Sequence, residues 1–206
     1  MTAGPQSLGR ETTGPVDEAL YYSLGEDSPW EYLDGRLVRR PPSERRSDLF
    51  GFFITLLGLY LDVRGGGKVR GSRYPMRLDE RWSAEPDLMV VREENIGRMK
   101  DQYLDGPADW VIEIASEDDP QFEQREKLPR YREAHLPEIW LIDRFSELVR
   151  VETLASPGYR SMVLHEGRLA STGVPGFWIE TDWLWRPKLP STVACLCTIL
   201  PDRAWP

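Results

Sequence analysis

The hydrophobic pattern changes period several times along the chain, and each change marks an element. Residues 1–16 are small and polar, contain Gly and Pro, and show no periodicity. They are expected to form a disordered leader. Residues 17–25 suit a short helix with Ala19, Leu20 and Leu24 on one side. The stretch 31–40 reads as a hairpin. Trp30-Glu31-Tyr32-Leu33 is one strand, Asp34-Gly35 the two-residue turn, and Arg36-Leu37-Val38 the return. Ser43 is a good N-cap, without a capping-box acid at the third helical position, where Arg46 stands. Leu49, Phe50, Phe53, Ile54, Leu57, Tyr60 and Leu61 then recur at helical spacing. Phe52, Leu56 and Leu59 widen the stripe, so this long helix is expected to be buried on more than one side. Gly65-Gly66-Gly67 ends it.

Beyond the glycines the period shortens. Residues 69–78 read as a strand, 79–85 as a turn, and Pro86 to Val91 as another strand. Residues 92–107 are polar and suit a loop with a short helix, whereas 108–115 form an apolar strand. Residues 121–134 have helical character interrupted by Pro129. Either that helix kinks at Pro129, or it begins near Lys127-Leu128 with Pro129 in its first turn. Strands follow at 138–143, 148–154 and 159–164. The aromatic stretch 177–185 is a strand end or short helix packed on the body, and the last twenty residues are interrupted by Pro. No internal repeat is present. The order predicts an α/β or α+β fold with a mixed sheet flanked by helices. It gives one domain at 17–190, preceded by the leader and followed by a tail at 191–206.

Composition narrows the function classes. The chain has 206 residues, 40% hydrophobic and 29% charged, as in ordinary globular proteins. Cys195 and Cys197 alone cannot make a disulfide framework, and His135 and His165 alone exclude a multi-His metal site. No apolar run approaches the roughly 20 residues of a membrane span, and no basic-then-apolar N-terminal signal is present. The expected compartment is therefore a reducing cytoplasm, with no membrane partner. The net charge is −8, which argues against non-specific nucleic-acid binding by the whole surface. Between Arg36 and Arg77, however, ten Arg or Lys stand against three Asp or Glu, a local +7. The remainder carries −15. This segment is either a solvated basic face or an anion-binding one.

Four residues carry candidate chemistry. Glu113 stands inside Trp110-Val111-Ile112-Glu113-Ile114-Ala115. A carboxylate in a buried strand is costly unless it binds a cation; the alternative is an edge position where it reaches solvent. Asp87 follows Pro86 at a strand start, where Pro-Asp also favours turns. If the two strands are neighbours, Asp87 and Glu113 meet and need a cation between them. With oxygen ligands only, that cation would be Mg2+ or Mn2+. Lys127 neighbours Leu128 and Tyr131 on the sheet-facing side of its helix; it is either a solvated lysine or a point charge for a phosphoryl oxygen or attacking water. Glu31 is either paired with an Arg across the hairpin or a further acid of the metal site.

Taken in order, these segments resemble a known family. Trp30-Glu31-Tyr32-Leu33-Asp34-Gly35-Arg36-Leu37-Val38, Pro86-Asp87-Leu88, Val111-Ile112-Glu113-Ile114-Ala115-Ser116, Glu126-Lys127-Leu128-Pro129-Arg130-Tyr131 and Pro137-Glu138-Ile139-Trp140-Leu141-Ile142-Asp143 resemble the Uma-two family of restriction endonucleases. Gly176-Phe177-Trp178 and Asp182-Trp183-Leu184-Trp185 fit it as well. That family belongs to the restriction-endonuclease-like PD-(D/E)XK superfamily of metal-dependent phosphodiesterases, with a central mixed sheet flanked by helices. The resemblance implies that Asp87 is the acid of the Pro-Asp motif and Glu113 the acid of the (D/E)XK motif. The motif lysine would fall at position 115, which is Ala here; the resemblance places it instead on the following helix, as Lys127. Family members often carry a His at the start of the long helix, and the stretch 43–48 has none.

The resulting expectation is a Mg2+- or Mn2+-dependent phosphodiesterase, first of all a DNA endonuclease. Asp87 and Glu113 would bind the metal, Glu31 would be a third acid, and Lys127 would act on the water or the phosphate. Arg36 to Arg77 would contact the nucleic-acid backbone. Two rivals stand beside it. One is an inactive module of the same fold that binds nucleic acid or protein. The other is an assembly protein, a homodimer for instance, that uses the Trp178, Trp183, Trp185 and Trp205 region as an interface.

Overall fold

The hairpin forms where its turn chemistry requires. In this computed structural model, which describes residues 12–25, 28–39, 44–71, 73–116 and 119–203, β1 (Thr12–Pro15) precedes helix α1 (Glu18–Ser23). Strands β2 (Trp30–Leu33) and β3 (Arg36–Arg39) follow. Asp34 and Gly35 sit at φ 49° and 72°, the double positive-φ pattern of a type I′ turn. The leader expectation fails from Thr12 onward, because β1 pairs antiparallel with β3 and adds an edge to the hairpin.

The long helix is α2 (Glu44–Arg64). The expected cap Ser43 lies outside the described residues. At the other end Gly65 turns the chain at φ 71°, and its N–H donates to Leu61 O at 2.7 Å. Leu49, Phe53, Leu56, Leu57 and Tyr60 are fully or almost fully buried, as their wide stripe predicts.

The segment expected as one strand at 69–78 is two. Strand β4 (Gly67–Gly71) and strand β5 (Met76–Asp79) belong to different sheets. Gly71 ends the first where a Cβ would stand 2.5 Å from the Phe50 ring. Pro75, which has no N–H to give a ladder, precedes the second. The expected turn at 79–85 shrinks to the link into strand β6 (Trp82–Ala84), which pairs with β5. Strand β7 (Leu88–Arg92), a 3₁₀ turn at Glu93–Arg98, strand β8 (Leu104–Asp105) and strand β9 (Trp110–Ile114) come next. A single π-helical turn, Glu123–Lys127, leads into α3 (Leu128–Glu133). Strands β10 (Glu138–Asp143), β11 (Leu148–Leu154) and β12 (Tyr159–Leu164) run as expected. The aromatic stretch splits into strand β14 (Trp178–Glu180), paired with β13 (Arg168–Ala170), and helix α4 (Asp182–Trp185). The tail is no appendage: its 192–199 stretch is helix α5 (Thr192–Ile199), with Cys195, Leu196 and Ile199 buried in the same core as α2.

The fold is mixed α/β with two six-stranded sheets flanked by helices. The first has the order β1-β3-β2-β6-β5-β8, so the N-terminal hairpin is the middle of a sheet of its own. The second has the order β12-β11-β10-β9-β7-β4. In the second, β9 runs parallel to β10 and antiparallel to β7. Period-two alternation divides it cleanly. Leu88, Val90, Trp110, Ile112, Ile114, Trp140 and Ile142 face α2 and α5. Met89, Val91, Val111, Ile139 and Leu141 face α3 and the first sheet, joining Leu33, Trp82 and Ala84. Both faces are dry, which is why these strands read as continuous apolar runs.

Candidate active site

The same alternation decides where the polar residues of these strands go. Glu113 shares the parity of Val111, and Asp87 that of Met89 and Val91. Both therefore point into the layer between the two sheets. Glu31 shares the parity of Leu33 and enters that layer from the opposite sheet. Helix α3 closes it from the side.

Pro129 shapes that helix. It has no N–H to bond Arg125 O, and its ring would clash with that carbonyl in a regular turn. The chain widens instead into the π turn at Glu123–Lys127, with Leu128 N–H bonded back to Glu123 O, five residues earlier. Pro129 then falls in the first turn of α3, where it is tolerated. The helix runs without a break from Phe122 to Glu133, so it does not begin at Lys127 as the second arrangement expected, although Pro129 does lie in the first turn of α3. The π turn carries Lys127 inward, and such turns often mark functional positions.

The result is a buried polar cluster. Lys127 Nζ lies 2.7 Å from Glu31 Oε2 and 3.1 Å from Glu113 Oε1. The Tyr131 hydroxyl donates to Glu113 Oε1 at 2.6 Å. Asp87 Oδ2 accepts from Ile114 N–H at 2.7 Å, one residue beyond Glu113. Glu85 N–H donates to Glu31 Oε2 at 3.1 Å. Glu31, Glu113, Lys127 and Tyr131 are 0% exposed, and Asp87 and Glu123 are 2% exposed. Glu113 thus does not reach solvent at an edge, Lys127 is not a solvated lysine, and Glu31 pairs with Lys127.

Burial pushes the Glu113 carboxyl up to about 7. Lys127 pulls it down, whereas Asp87, Glu31 and Glu123 push it further up. Burial first, then Glu113, and after it Glu31 and Asp87, raise the Tyr131 phenol, which stays a hydrogen-bond donor. A carboxyl whose pKa is raised first by burial and then by neighbouring carboxylates gives up its proton more readily when a cation approaches.

The donor set fits Mg2+ or Mn2+. It is all oxygen, and Asp87 and Glu113 come from neighbouring strands. Mg2+ asks for only one or two carboxylates beside substrate oxygens and water. Among the described residues no group of three or more His, Cys, Asp or Glu is gathered closely enough to hold a metal. Lys127 engages both Glu31 and Glu113.

The sequence did not single out Glu123 or Glu85. Glu123 lies four residues before Lys127 in a charged run, 123–127, where nothing sets it apart from its exposed neighbours. Glu85 has no signal either, because only the pairing of β6 with β2 brings it beside Glu31.

The basic stretch is divided by the fold. Arg36 and Arg39 lie on the first sheet, Lys68 and Arg70 on the second. Arg77 is bound at 2.6 and 3.1 Å by both oxygens of Glu18, so it ties α1 to β5. Arg39 and Lys68 are exposed.

Two sheets flanked by helices, with acids and a lysine buried between them, make a mixed α/β fold. A crystal structure of "a putative nuclease belonging to DUF820" from Anabaena variabilis superimposes with a TM-score of 0.71, over 83% of this chain and 98% of that one, at 18% identity. Residues 17–182 match Uma2, described as "Putative restriction endonuclease", and the chain belongs to that family, as its motifs suggested. No curated protein matches the chain. Among the described residues, no helix is long and apolar enough to cross a membrane.

Proposed function

We propose that this protein is a divalent-metal-dependent phosphodiesterase, a DNA endonuclease of the restriction-endonuclease-like class. The observation that carries the reading is the meeting of Glu31, Asp87, Glu113 and Lys127. They come from two sheets and a helix and converge in one buried cluster. The family and the fold of the Anabaena variabilis nuclease support it.

Asp87 and Glu113 would hold Mg2+ or Mn2+, which when bound polarises the scissile phosphate and lowers the pKa of its water. Tyr131 fixes the Glu113 carboxyl through Oε1 at 2.6 Å, and Lys127 reaches both of its oxygens, Oε1 at 3.1 Å and Oε2 at 3.4 Å. Glu31 Oε2 holds the Lys127 ammonium in place at 2.7 Å. Lys127 is then a preorganised positive charge for the attacking water or a phosphoryl oxygen. The flanking apolar residues exclude bulk water, which strengthens each of these interactions.

The test is incubation of the purified protein with supercoiled, linear and single-stranded DNA, and with RNA, in Mg2+, Mn2+ or EDTA. Metal-dependent cleavage of DNA that Asp87→Asn abolishes is the expected result. Full activity in EDTA, or in Asp87→Asn, refutes the proposal.

One observation favours the rival of an inactive binding module: Lys127 already bridges Glu31 and Glu113, as a structural ion pair would. Absence of Mg2+ or Mn2+ binding in calorimetry is the result that module predicts.

A further inference from the structure

Among the described residues the two six-stranded sheets end on four edge strands, β1 and β8 in the first, β12 and β4 in the second. An edge strand offers unpaired backbone N–H and C=O groups to any extended chain, and native edges are blunted by shortness, proline, bulges or charge. Three of the four carry such a device. Strand β8 is two residues long. Strand β1 ends on Pro15, and its register against β3 shifts. Strand β4 is basic, with Lys68 and Arg70 among its five residues.

Strand β12 is different. Its six residues, Tyr159-Arg160-Ser161-Met162-Val163-Leu164, pair on one side with β11 in an unbroken register. Arg160 is its one charge. Met162 is 47% and Val163 46% exposed. Successive side chains leave opposite faces of a strand, so β12 is open on both faces as well as along its edge. An apolar edge of this length is a template for pairing with another chain.

The edge is complementary to itself. Laid antiparallel on a second copy about a twofold axis at Val163, it sets Val163 against Val163 of the partner subunit and Met162 against Leu164 of the partner subunit. The same register sets Arg160 against Glu166 of the partner subunit, two residues past the strand end. Arg160 and Glu166 are both exposed, and neither has an ion pair among the described residues. Opposed residues of an antiparallel pair project from one face, and Arg160, Met162, Leu164 and Glu166 share one parity. The apolar pairs therefore lie at the centre, with an ion pair at each end. Moving the axis to Met162 sets Arg160 against Leu164, and moving it to Leu164 sets Arg160 against Arg168 of the partner subunit. Only the Val163 axis matches charge with charge and carbon with carbon.

We infer that β12 is the interface of a homodimer, in which two copies pair their β12 strands antiparallel about Val163 and join their second sheets into one. The inference stands apart from the nuclease reading. The contact is isologous, so it uses up the edge in both copies and association stops at two. One pair of short strands makes a small interface, of the size class of weak complexes, so the dimer should dissociate on dilution.

The test is analytical ultracentrifugation over a dilution series of wild type, Val163→Lys, Arg160→Glu, Glu166→Arg and the double reversal R160E/E166R. The wild type is expected to be a dimer that dissociates on dilution. Val163→Lys places two ammonium groups together at the axis and should be monomeric. Each single reversal should weaken the dimer by roughly 2- to 30-fold, the range of a cross-strand pair counted twice by the symmetry. The double reversal should recover the wild-type constant, and added salt should shrink the differences. Circular dichroism melts check that each variant is folded, and the charge reversals keep the inference falsifiable if Val163→Lys is not. A wild type that is monomeric at every concentration overturns the inference and leaves the edge to an extended segment of another protein. A dimer that Val163→Lys and both single reversals leave unchanged overturns it and moves the contact to another surface, such as the aromatic stretch 178–185. A double reversal no tighter than the single ones overturns the pairing about Val163.

Discussion

Glu113→Gln is the perturbation that reads the acid cluster most directly. The wild-type carboxyl titrates at about 7 instead of 4.5, and at about 1.36 kcal/mol per unit that difference is roughly 3 kcal/mol. The sign follows from linkage. Between pH 4.5 and 7 the unfolded chain has released this proton and the folded chain has not, so stability falls as pH rises through that window. Above about pH 7 the full penalty is present. Glutamine removes the charge and keeps an acceptor for the Tyr131 hydroxyl, while Lys127 keeps Glu31 at 2.7 Å. At pH 8 in EDTA the variant should therefore match the wild type or exceed it by up to about 3 kcal/mol. For a chain of this size that corresponds to as much as roughly 6–12 °C in melting temperature. Its stability should also be flat across pH 4.5–7, where the wild type declines. Adding Mn2+ should raise the melting temperature of the wild type by mass action and leave Glu113→Gln unmoved. Thermal melts at pH 5, 6, 7 and 8, with EDTA and with Mn2+, measure all of this. A loss of roughly 3–5 kcal/mol at pH 8, the cost of leaving a buried lysine without its partner, together with a retained Mn2+ response, refutes the metal-site reasoning.

Lys127→Ala should lower turnover by about 10²–10³ while leaving Mn2+ binding by calorimetry nearly intact, since an ammonium is no metal ligand. It should also lower apo stability, because Glu31 and Glu113 lose their cation, and Mn2+ should recover part of that loss. Replacing exposed Arg39, or Arg70, with Ala should weaken nucleic-acid binding and flatten the slope of log affinity against log salt by about one unit per lost phosphate contact. Arg77→Ala, which removes the partner of Glu18, should leave that slope unchanged. Gly67→Ala should cost roughly 1–3 kcal/mol in denaturant melts, because Gly67 sits at φ 147° and a Cβ would stand 2.4 Å from Val91 O.

Local chemistry was enough for much of the fold. The I′ turn at Asp34-Gly35 follows from two residues that tolerate positive φ. The long helix follows from its apolar spacing and its terminal glycines, and the strands at 110–114 and 138–143 from continuous apolar runs. The candidate site was legible for a related reason: Glu113 interrupts such a run, and a charge inside a dry strand has few physical explanations. Asp87, Glu31 and Lys127 each have an ordinary reading in their own element, a turn residue, a hairpin partner and a helix lysine, and only their combination and the resemblance of the motifs singled them out.

What local pattern could not decide was pairing. The stretch 69–78 reads as one strand, and only its partners show that Gly67–Gly71 joins β7 while Met76–Asp79 joins β6 in the other sheet. Thr12–Pro15 has no strand pattern and is ordered by β3. The helix at Thr192–Ile199 is set by the apolar surface of α2 that it covers. In the site, the sequence named Glu31 but left two partners open for it, and it did not name Glu85 or Glu123. Glu31 lies 96 residues from Lys127, and no spacing rule spans that distance. Their contact exists because two sheets bury their apolar faces against each other, and that burial is a property of the whole chain. It carries each polar residue of those faces to wherever the opposite sheet presents its own.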